Sequence, residues 1–387
     1  MTKIKNPIIP GFYPDPTICR VGEDYYLACS SFELCPGIPI FHSRDLVNWE
    51  QICNAMTPAN GFHVEKNCMD GGVMAPTLRY CNGIFYIINA NFSDKGNYIV
   101  TATNPAGPWS EPHWLTDVPG IDASIFFDDD GTCYVLGTGN VWDNGAGVME
   151  RGIWMAKYDI ENFCMLEDPV TIFNSALRVG SAPEAPHLYH IGDYYHLIIA
   201  EGGTEHYHAV MHARSKDIYG FYEGNPANPV LTHRHMGYGC PIGNVGYADL
   251  VELPDGSWYA VMLASRLIDG VSKNLGRQIL QFVMVTADFD MPPYFPMFTS
   301  ETHREILGET EWNQPEAVLQ IAMDGNAVTV SCGSSLEDLR VLCTADAGKI
   351  NPEKVGCMTG TLLGMFASGN GTASENTAAF DWFSIEE

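Results

Sequence analysis

The sequence predicts an all-β protein, a five-bladed β-propeller followed by a further strand-rich region, and three observations carry that prediction. A turn residue and a glycine precede an aromatic, apolar run five times: GEDYYLACS from Gly22, NGIFYIINA from Asn82, DGTCYVLGT from Asp130, IGDYYHLII from Ile191 and DGSWYAVML from Asp255. The anchoring tyrosines Tyr26, Tyr86, Tyr134, Tyr195 and Tyr259 are separated by 60, 48, 61 and 64 residues, the period of a four-stranded propeller blade with variable loops. A second landmark, a small or polar residue, an Asp or Asn turn and then an aromatic, follows each of the first four turns in the same order.

In the first unit the Gly22 turn is followed by HSRDLVNWE from His42, and in the second the Asn82-Gly83 turn by ATNPAGPWS from Ala102. In the third, Asp130-Gly131 precedes AKYDIENFC from Ala156, and in the fourth the Gly192 turn precedes ARSKDIYGFYEG from Ala213. The fifth, at Asp255-Gly256, has the weakest second landmark, TADFD from Thr286. Asn-Gly and Asp-Gly supply the positive φ angles of tight hairpins, so each glycine turn is expected to join the innermost strand of a blade to its neighbour. Beyond residue 300, ILGETEWNQPEAVLQIAMDGNAVTVSCGSS and TGTLLGMFASGNGTASENTAAFDWFSI alternate like strands, with Asp-Gly and Gly-Asn turns. The expected division is a propeller over 1–298, a linker over 299–310 and a strand-rich domain over 311–387.

A chain of 387 residues suits a propeller of about 300 residues with a small appendage. Its net charge of −27, with only 20 Lys and Arg, repels nucleic-acid backbones and anionic membranes and favours a neutral partner. The N-terminal MTKIKNPIIPGFYPDP has no apolar run long enough for an export signal, and no segment approaches the length of a membrane span, which predicts a soluble, cytoplasmic protein. Twelve cysteines scattered singly, without CxxC pairs, predict reduced and mostly buried thiols. His206, His208 and His212, then His233 and His235, form two groups. Hydrogen-bonded cleft or loop histidines are the expected reading, and a metal site is its alternative.

Counting back about 11 or 12 residues from each anchoring tyrosine reaches the start of the innermost strand. The residues there are Asp15 in YPDPT, Ala75 beside Met74 in VMAPT, Asp122 in GIDAS, Glu184 in APEAPH and Tyr247 in VGYAD. Innermost strands of a propeller converge at one mouth, so Asp15, Asp122 and Glu184 are expected to face one another across a funnel. Each alone could cap a turn, but Glu is a poor turn former and three register-matched carboxylates point to a site. With no serine or cysteine nucleophile motif and no phosphate loop, clustered carboxylates point to acid/base hydrolysis of a glycosidic bond.

The stretches NPIIPGFYPDPTICRVGEDYYLACSSFE, GIPIFHSRDLVNWEQI, GGVMAPTLRYCNGIFYI, GIDASIFFDDDG, EAPHLYHIGDYYHLIIAEGGT and NLGR resemble glycoside hydrolase family 43, especially its β-xylosidase and α-L-arabinofuranosidase branch, over approximately residues 5 to 280. The resemblance implies a five-bladed propeller that inverts the anomeric centre, with Asp15 as general base, Asp122 as pKa modulator and Glu184 as general acid. It further implies that Phe32, His208 and Arg277 line the sugar pocket, with Met74 and Tyr247 beside them. The chain departs from the family pattern within SAP before the acid, in QILQFVM and PPYFPMF after Arg277, and at three positions of the site. Ala185 replaces the glycine of Glu-Gly-Pro-His, Met74 stands where many relatives carry an aromatic, and Tyr247 replaces a histidine that often helps to hold an axial calcium ion. No cofactor is therefore expected, an axial calcium being absent or weakly held. The C-terminal segments resemble a β-sandwich that follows the propeller in this branch, here internally shortened.

The expected function is an inverting exo-glycosidase that removes terminal xylose or arabinofuranose from xylan- or arabinoxylan-derived oligosaccharides. The alternative is a glycan-binding propeller that has lost catalysis. The expected partner is a small oligosaccharide, with no nucleic acid and no membrane; a homo-oligomer is left open.

Overall fold

A computed structural model describes residues 6–63, 71–143, 149–174, 182–237, 239–268, 271–273, 317–324 and 327–346. The chain divides into two compact units, Met1–Ile9 with Tyr13–Leu267 and Pro10–Phe12 with Ile268–Glu387. Both are built from antiparallel β-strands among the described residues. Arg277, the 299–310 linker and the segment from TGTLL onwards lie outside the described residues.

The first sheet is β1 (Thr17–Val21), β2 (Asp24–Ala28), β3 (Gly37–Ser43) and β4 (Glu50–Met56), in that order. The second is β5 (Val73–Cys81), β6 (Ile84–Asn91), β7 (Gly96–Ala102) and β8 (His113–Trp114). The third contains β9 (Ile121–Phe127), β10 (Cys133–Asp143), β11 (Met149–Asp159) and β12 (Cys164–Met165), with β13 (Val170–Phe173) also on β11. The fourth contains β14 (Glu184–Ile191), β15 (Tyr194–Glu201), β16 (Ala209–Ser215) and β17 (Glu223–Gly224), with β18 (Leu231–Thr232) also on β16. The fifth pairs β19 (Ile242–Glu252) with β20 (Trp258–Ile268), and β21 (Val271–Lys273) follows. In the second unit β22 (Val318–Asp324), β23 (Ala327–Gly333) and β24 (Arg340–Asp346) form one sheet.

Each of the five glycine turns joins the first two strands of a sheet, as the sequence predicts. At the second, Asn82 and Gly83 both take positive φ, 50° and 84°, the pair of left-handed residues that a two-residue hairpin requires.

Strand alternation sends successive side chains to opposite faces, and here each face meets a different neighbouring sheet. Ile87 packs with Ile38, Ile40 and Val100 between the first and second sheets, whereas Ile88 packs with Ile125, Val135 and Trp154 between the second and third. Leu136 and Ile153 of the third meet Leu197, Ile199 and Met211 of the fourth. Ile198 and Val210 meet Ala248 and Leu250 of the fifth, and Val251 and Val261 of the fifth return to Ile18 and Leu27 of the first.

One ion pair lies at the crossing of four of these sheets. Arg79 on β5 donates to both carboxylate oxygens of Asp249 on β19, at 2.8 and 3.0 Å. Asp249, wholly buried, also accepts from the Thr17 hydroxyl (2.6 Å), the Ile18 amide (3.0 Å) and the Tyr189 hydroxyl (2.5 Å). Burial alone would raise its pKa, but the charge of Arg79 prevails and holds it well below the ordinary carboxylate range.

Candidate active site

The starts of the five first strands share one backbone feature. Asp15, Ala75, Asp122, Ala185 and Tyr247 have φ of 52°, 53°, 52°, 50° and 52°, a left-handed state that costs a residue other than glycine about 1–2 kcal/mol. Ladder register shifts beside four of them, between Met74 and Thr77, Leu136 and Thr138, Glu184 and His187, and Gly246 and Ala248. Such bulges re-aim side chains and recur beside functional sites. The structure corrects the alignment of the repeats: the fourth-sheet residue in the shared conformation is Ala185, and Glu184 lies one position earlier, equivalent to Met74. Ala185 stands where the family pattern has glycine, the residue that adopts this φ without strain. Gly120 is required for a neighbouring reason, since a Cβ there would lie 1.8 Å from the Thr138 carbonyl oxygen.

The strand starts converge. Ala75, Ala185, Ala200 and Tyr247, from three different sheets, pack as one cluster with Met74 against it. Asp15 is buried and accepts from the Ser30 hydroxyl at 2.5 Å, while the same Ser30 oxygen accepts from the Ala75 amide at 2.7 Å. Asp122 accepts from the Ala185 amide at 3.2 Å. Glu184, also buried, meets the Arg151 guanidinium at 3.3 Å. Neither Ser30 nor Arg151 carries a motif in the sequence that marks it.

Burial raises all three carboxyls, and the neighbouring charges rank them. Asp15 is raised by burial to about 6, with the Ser30 hydrogen bond opposing. Asp122 is raised to about 7 by burial and then by the charge of Asp15, with Arg151 and the Ala185 amide opposing. Glu184 rises furthest, to about 8, through burial and then the charge of Asp122, with Arg151 opposing and Asp15 adding. Burial and mutual repulsion thus favour keeping a proton on the Asp122–Glu184 pair, while the Ser30 hydrogen bond favours the ionised form of Asp15.

These shifts also govern stability. The folded protein keeps the Glu184 proton above the ordinary value of 4.5, so this contribution is fully present below about pH 4.5 and is lost as pH rises through about 8. Glu184→Gln is accordingly expected to melt several degrees above the parent at pH 9 and equally with it near pH 4, which paired thermal melts would show. Equal melting at both pH values would contradict the buried placement.

Tyr247 is buried, and burial followed by the charges of Asp122, Asp15, Asp249 and Glu184 raises its phenol well above the ordinary value. It stays a neutral hydroxyl, and it makes no hydrogen bond to a described residue. Its ring meets that of His187 edge-on, with centroids 6.1 Å apart. His187 accepts from Arg79 at 3.1 Å through Nδ1, which leaves the proton on Nε2, and burial lowers its pKa to about 4. His208, 1% exposed, donates from Nδ1 to the Asn244 carbonyl at 3.0 Å. A Cβ on Gly246 would stand 2.4 Å from the His208 ring, so the glycine before Tyr247 makes room for it. Met74 is half-buried beside Tyr247, and the buried Phe32 pairs its backbone with Val73. The histidines form no common centre among the described residues: His212 bonds with His196 and Asn225, and His233 donates to the Ile242 carbonyl. Among the described residues, the one grouping whose side chains bring three metal-ligating atoms together is Asp128, Asp129 and His190, at the opposite ends of strands β9 and β14 from Asp122 and Glu184.

An all-β scaffold that gathers two buried carboxyls and a half-buried one at its strand starts defines a site for acid/base chemistry. The chain belongs to glycosyl hydrolases family 43, whose family model matches residues 4–301, and a model for the β-xylosidase C-terminal concanavalin A-like domain matches residues 296–386. It is 48% identical over 283 residues to a xylosidase/arabinosidase of Butyrivibrio fibrisolvens, covering 72% of this chain and 54% of the relative. It is 44% identical over 300 residues to a non-reducing end α-L-arabinofuranosidase of Bacteroides ovatus, covering 74% of this chain and 52% of the relative. The crystal structure of a xylan β-1,4-xylosidase from Bacillus halodurans superposes with a TM-score of 0.65 at 37% identity, over 70% of this chain and 53% of that one. The chain spans about half the length of these curated relatives.

Proposed function

We propose that the protein is an inverting, exo-acting glycoside hydrolase that releases terminal xylose or arabinofuranose from xylan- or arabinoxylan-derived oligosaccharides. The observation that carries the mechanism is the convergence of the three carboxyls, with Ser30 donating to Asp15, the Ala185 amide donating to Asp122 and Arg151 beside Glu184; burial and the charge of Asp122 favour the protonated form of Glu184. Asp15 removes a proton from water as the oxygen bonds to the anomeric carbon, and Glu184 gives its proton to the leaving oxygen as the glycosidic bond breaks. Asp122 touches neither reacting oxygen in this scheme. It raises the proton affinity of Glu184 and fixes the adjacent bulge through the Ala185 amide. The names of the relatives, including the words non-reducing end, support the pentose and exo assignments. A binding-only protein finds no support in a site that keeps all three carboxyls. Hydrolysis of nitrophenyl β-xyloside and nitrophenyl α-L-arabinofuranoside by the purified protein tests the assignment, and turnover of neither would overturn it.

The five sheets of the first unit are proposed to be the blades of a five-bladed propeller over 1–298. The cyclic sequence of intersheet cores supports this, with the fifth sheet packing on both the fourth and the first. The 311–387 region is proposed to be a shortened β-sandwich after the 299–310 linker, supported by the match to the concanavalin A-like domain. The reaction is proposed to need no axial calcium, because Tyr247 offers a protonated phenol, a poor cation ligand, where an imidazole would otherwise stand.

Activity requires Asp15 ionised and Glu184 protonated, so kcat/KM is expected to fall below about pH 6 and again above about pH 8. Arg151→Met removes the cation that lowers the Glu184 pKa and is expected to move the alkaline limb upward. A pH–rate profile with an unmoved alkaline limb in this variant would contradict the assignment of that limb to Glu184.

A further inference from the structure

We infer that Tyr207 is the stacking platform for the leaving-group sugar, the unit beyond the cleaved bond, a role that rests on the proposed hydrolase activity. The placement follows from the strand that pairs with the acid. Glu184 on β14 pairs with Ala200 on β15, and two residues further the chain turns through Gly202 and Gly203, with φ of 88° and 73°, before returning as β16. The turn is tight: a Cβ on Gly202 would lie 2.2 Å from the carbonyl oxygen of Tyr207. The Tyr207 backbone therefore rests directly on Gly202, and the His206 ring meets the Tyr207 ring at 76° with centroids 5.1 Å apart. The next residue, His208, turns inward to fill the space over Gly246.

The Tyr207 backbone is thus held against Gly202 and its ring meets that of His206, yet 63% of its surface is exposed. A large ring left in water gains little from burial, and its open face is available to a sugar ring. Its position selects the ligand. The general acid protonates the leaving oxygen, so the leaving sugar lies on the Glu184 side, and Tyr207 lies on the β15–β16 loop, which begins just beyond Ala200, the ladder partner of Glu184. The apolar C–H face of a pyranose or furanose ring suits the face of a phenol ring, which offers contact area and a defined geometry.

The test compares two substrates of the full chain: xylobiose, whose leaving group is a sugar ring, and β-xylosyl fluoride, whose leaving group has none. If the enzyme prefers arabinofuranose, arabinobiose and arabinosyl fluoride replace them. Tyr207→Ala is expected to lower kcat/KM about three- to tenfold more on the disaccharide than on the fluoride, mainly through KM. Tyr207→Phe and Tyr207→Trp should restore the ratio. Equal losses on both substrates, or a Tyr207→Phe variant as impaired as Tyr207→Ala, would overturn the stacking role while leaving the hydrolase intact. Absence of turnover on either substrate by the parent protein would instead overturn the hydrolase reading, and the role of Tyr207 with it.

Discussion

Asp15→Asn and Glu184→Gln are each expected to lower kcat by about 10²–10⁴-fold while the protein stays folded. Each substitution preserves shape and removes proton transfer, from water in one case and to the leaving oxygen in the other. The two variants should differ in a diagnostic way. A fluoride or dinitrophenolate leaves without a proton, so Glu184→Gln should recover much of its activity on such substrates, whereas Asp15→Asn should not, because every substrate needs the activated water. Steady-state kinetics on paired substrates, with circular dichroism to monitor folding, decides the matter. Near-native turnover by either variant would remove the role assigned to that residue.

The second large effect is on stability. Asp249→Ala is expected to destabilise the protein by about 3–5 kcal/mol, the typical cost of leaving one member of a buried ion pair without its partner. The Arg79 guanidinium would lose both of its bonds to the carboxylate, and the Thr17 and Tyr189 hydroxyls would lose their acceptor. These partners lie on the first, second and fourth sheets, so the loss falls where four sheets meet. Because the folded-state pKa of Asp249 is depressed, its contribution is present above the ordinary carboxylate range and is lost only as pH falls below it. Urea unfolding at pH 7 measures the effect, and a loss under about 1 kcal/mol would show that the pair is not the tie between sheets described here.

The repeat was legible because every sheet has to restate the same turn chemistry, and the spacing from turn to strand start was constant enough to reach Asp15 and Asp122. Glu184 was found but misaligned by one residue, because a bulge changes the count between hairpin turn and strand start without changing residue type. Ser30 and Arg151 were not legible: Ser30 faces Asp15 across the open end of its own hairpin and reaches Ala75 in the next sheet, Arg151 reaches Glu184 from the third sheet, and none of these contacts leaves a local spacing. Asp249 stood in a quoted motif, yet its partner Arg79 is 170 residues away in sequence, and only the packing of the fifth sheet near the second makes them a pair. In the second unit the Asp-Gly turn was legible, and Asp324 does pair with Ala327 across it.

The anomeric configuration of the first product tests the division of labour between Asp15 and Glu184 most directly. Proton NMR at early times, on nitrophenyl β-xyloside or nitrophenyl α-L-arabinofuranoside, should show the anomer opposite to that of the substrate appearing before mutarotation, because water attacks from the face opposite the leaving group. A first product that keeps the configuration of the substrate would mean that a carboxylate attacks the sugar directly, and would contradict the assignment of Asp15 as a base acting through water.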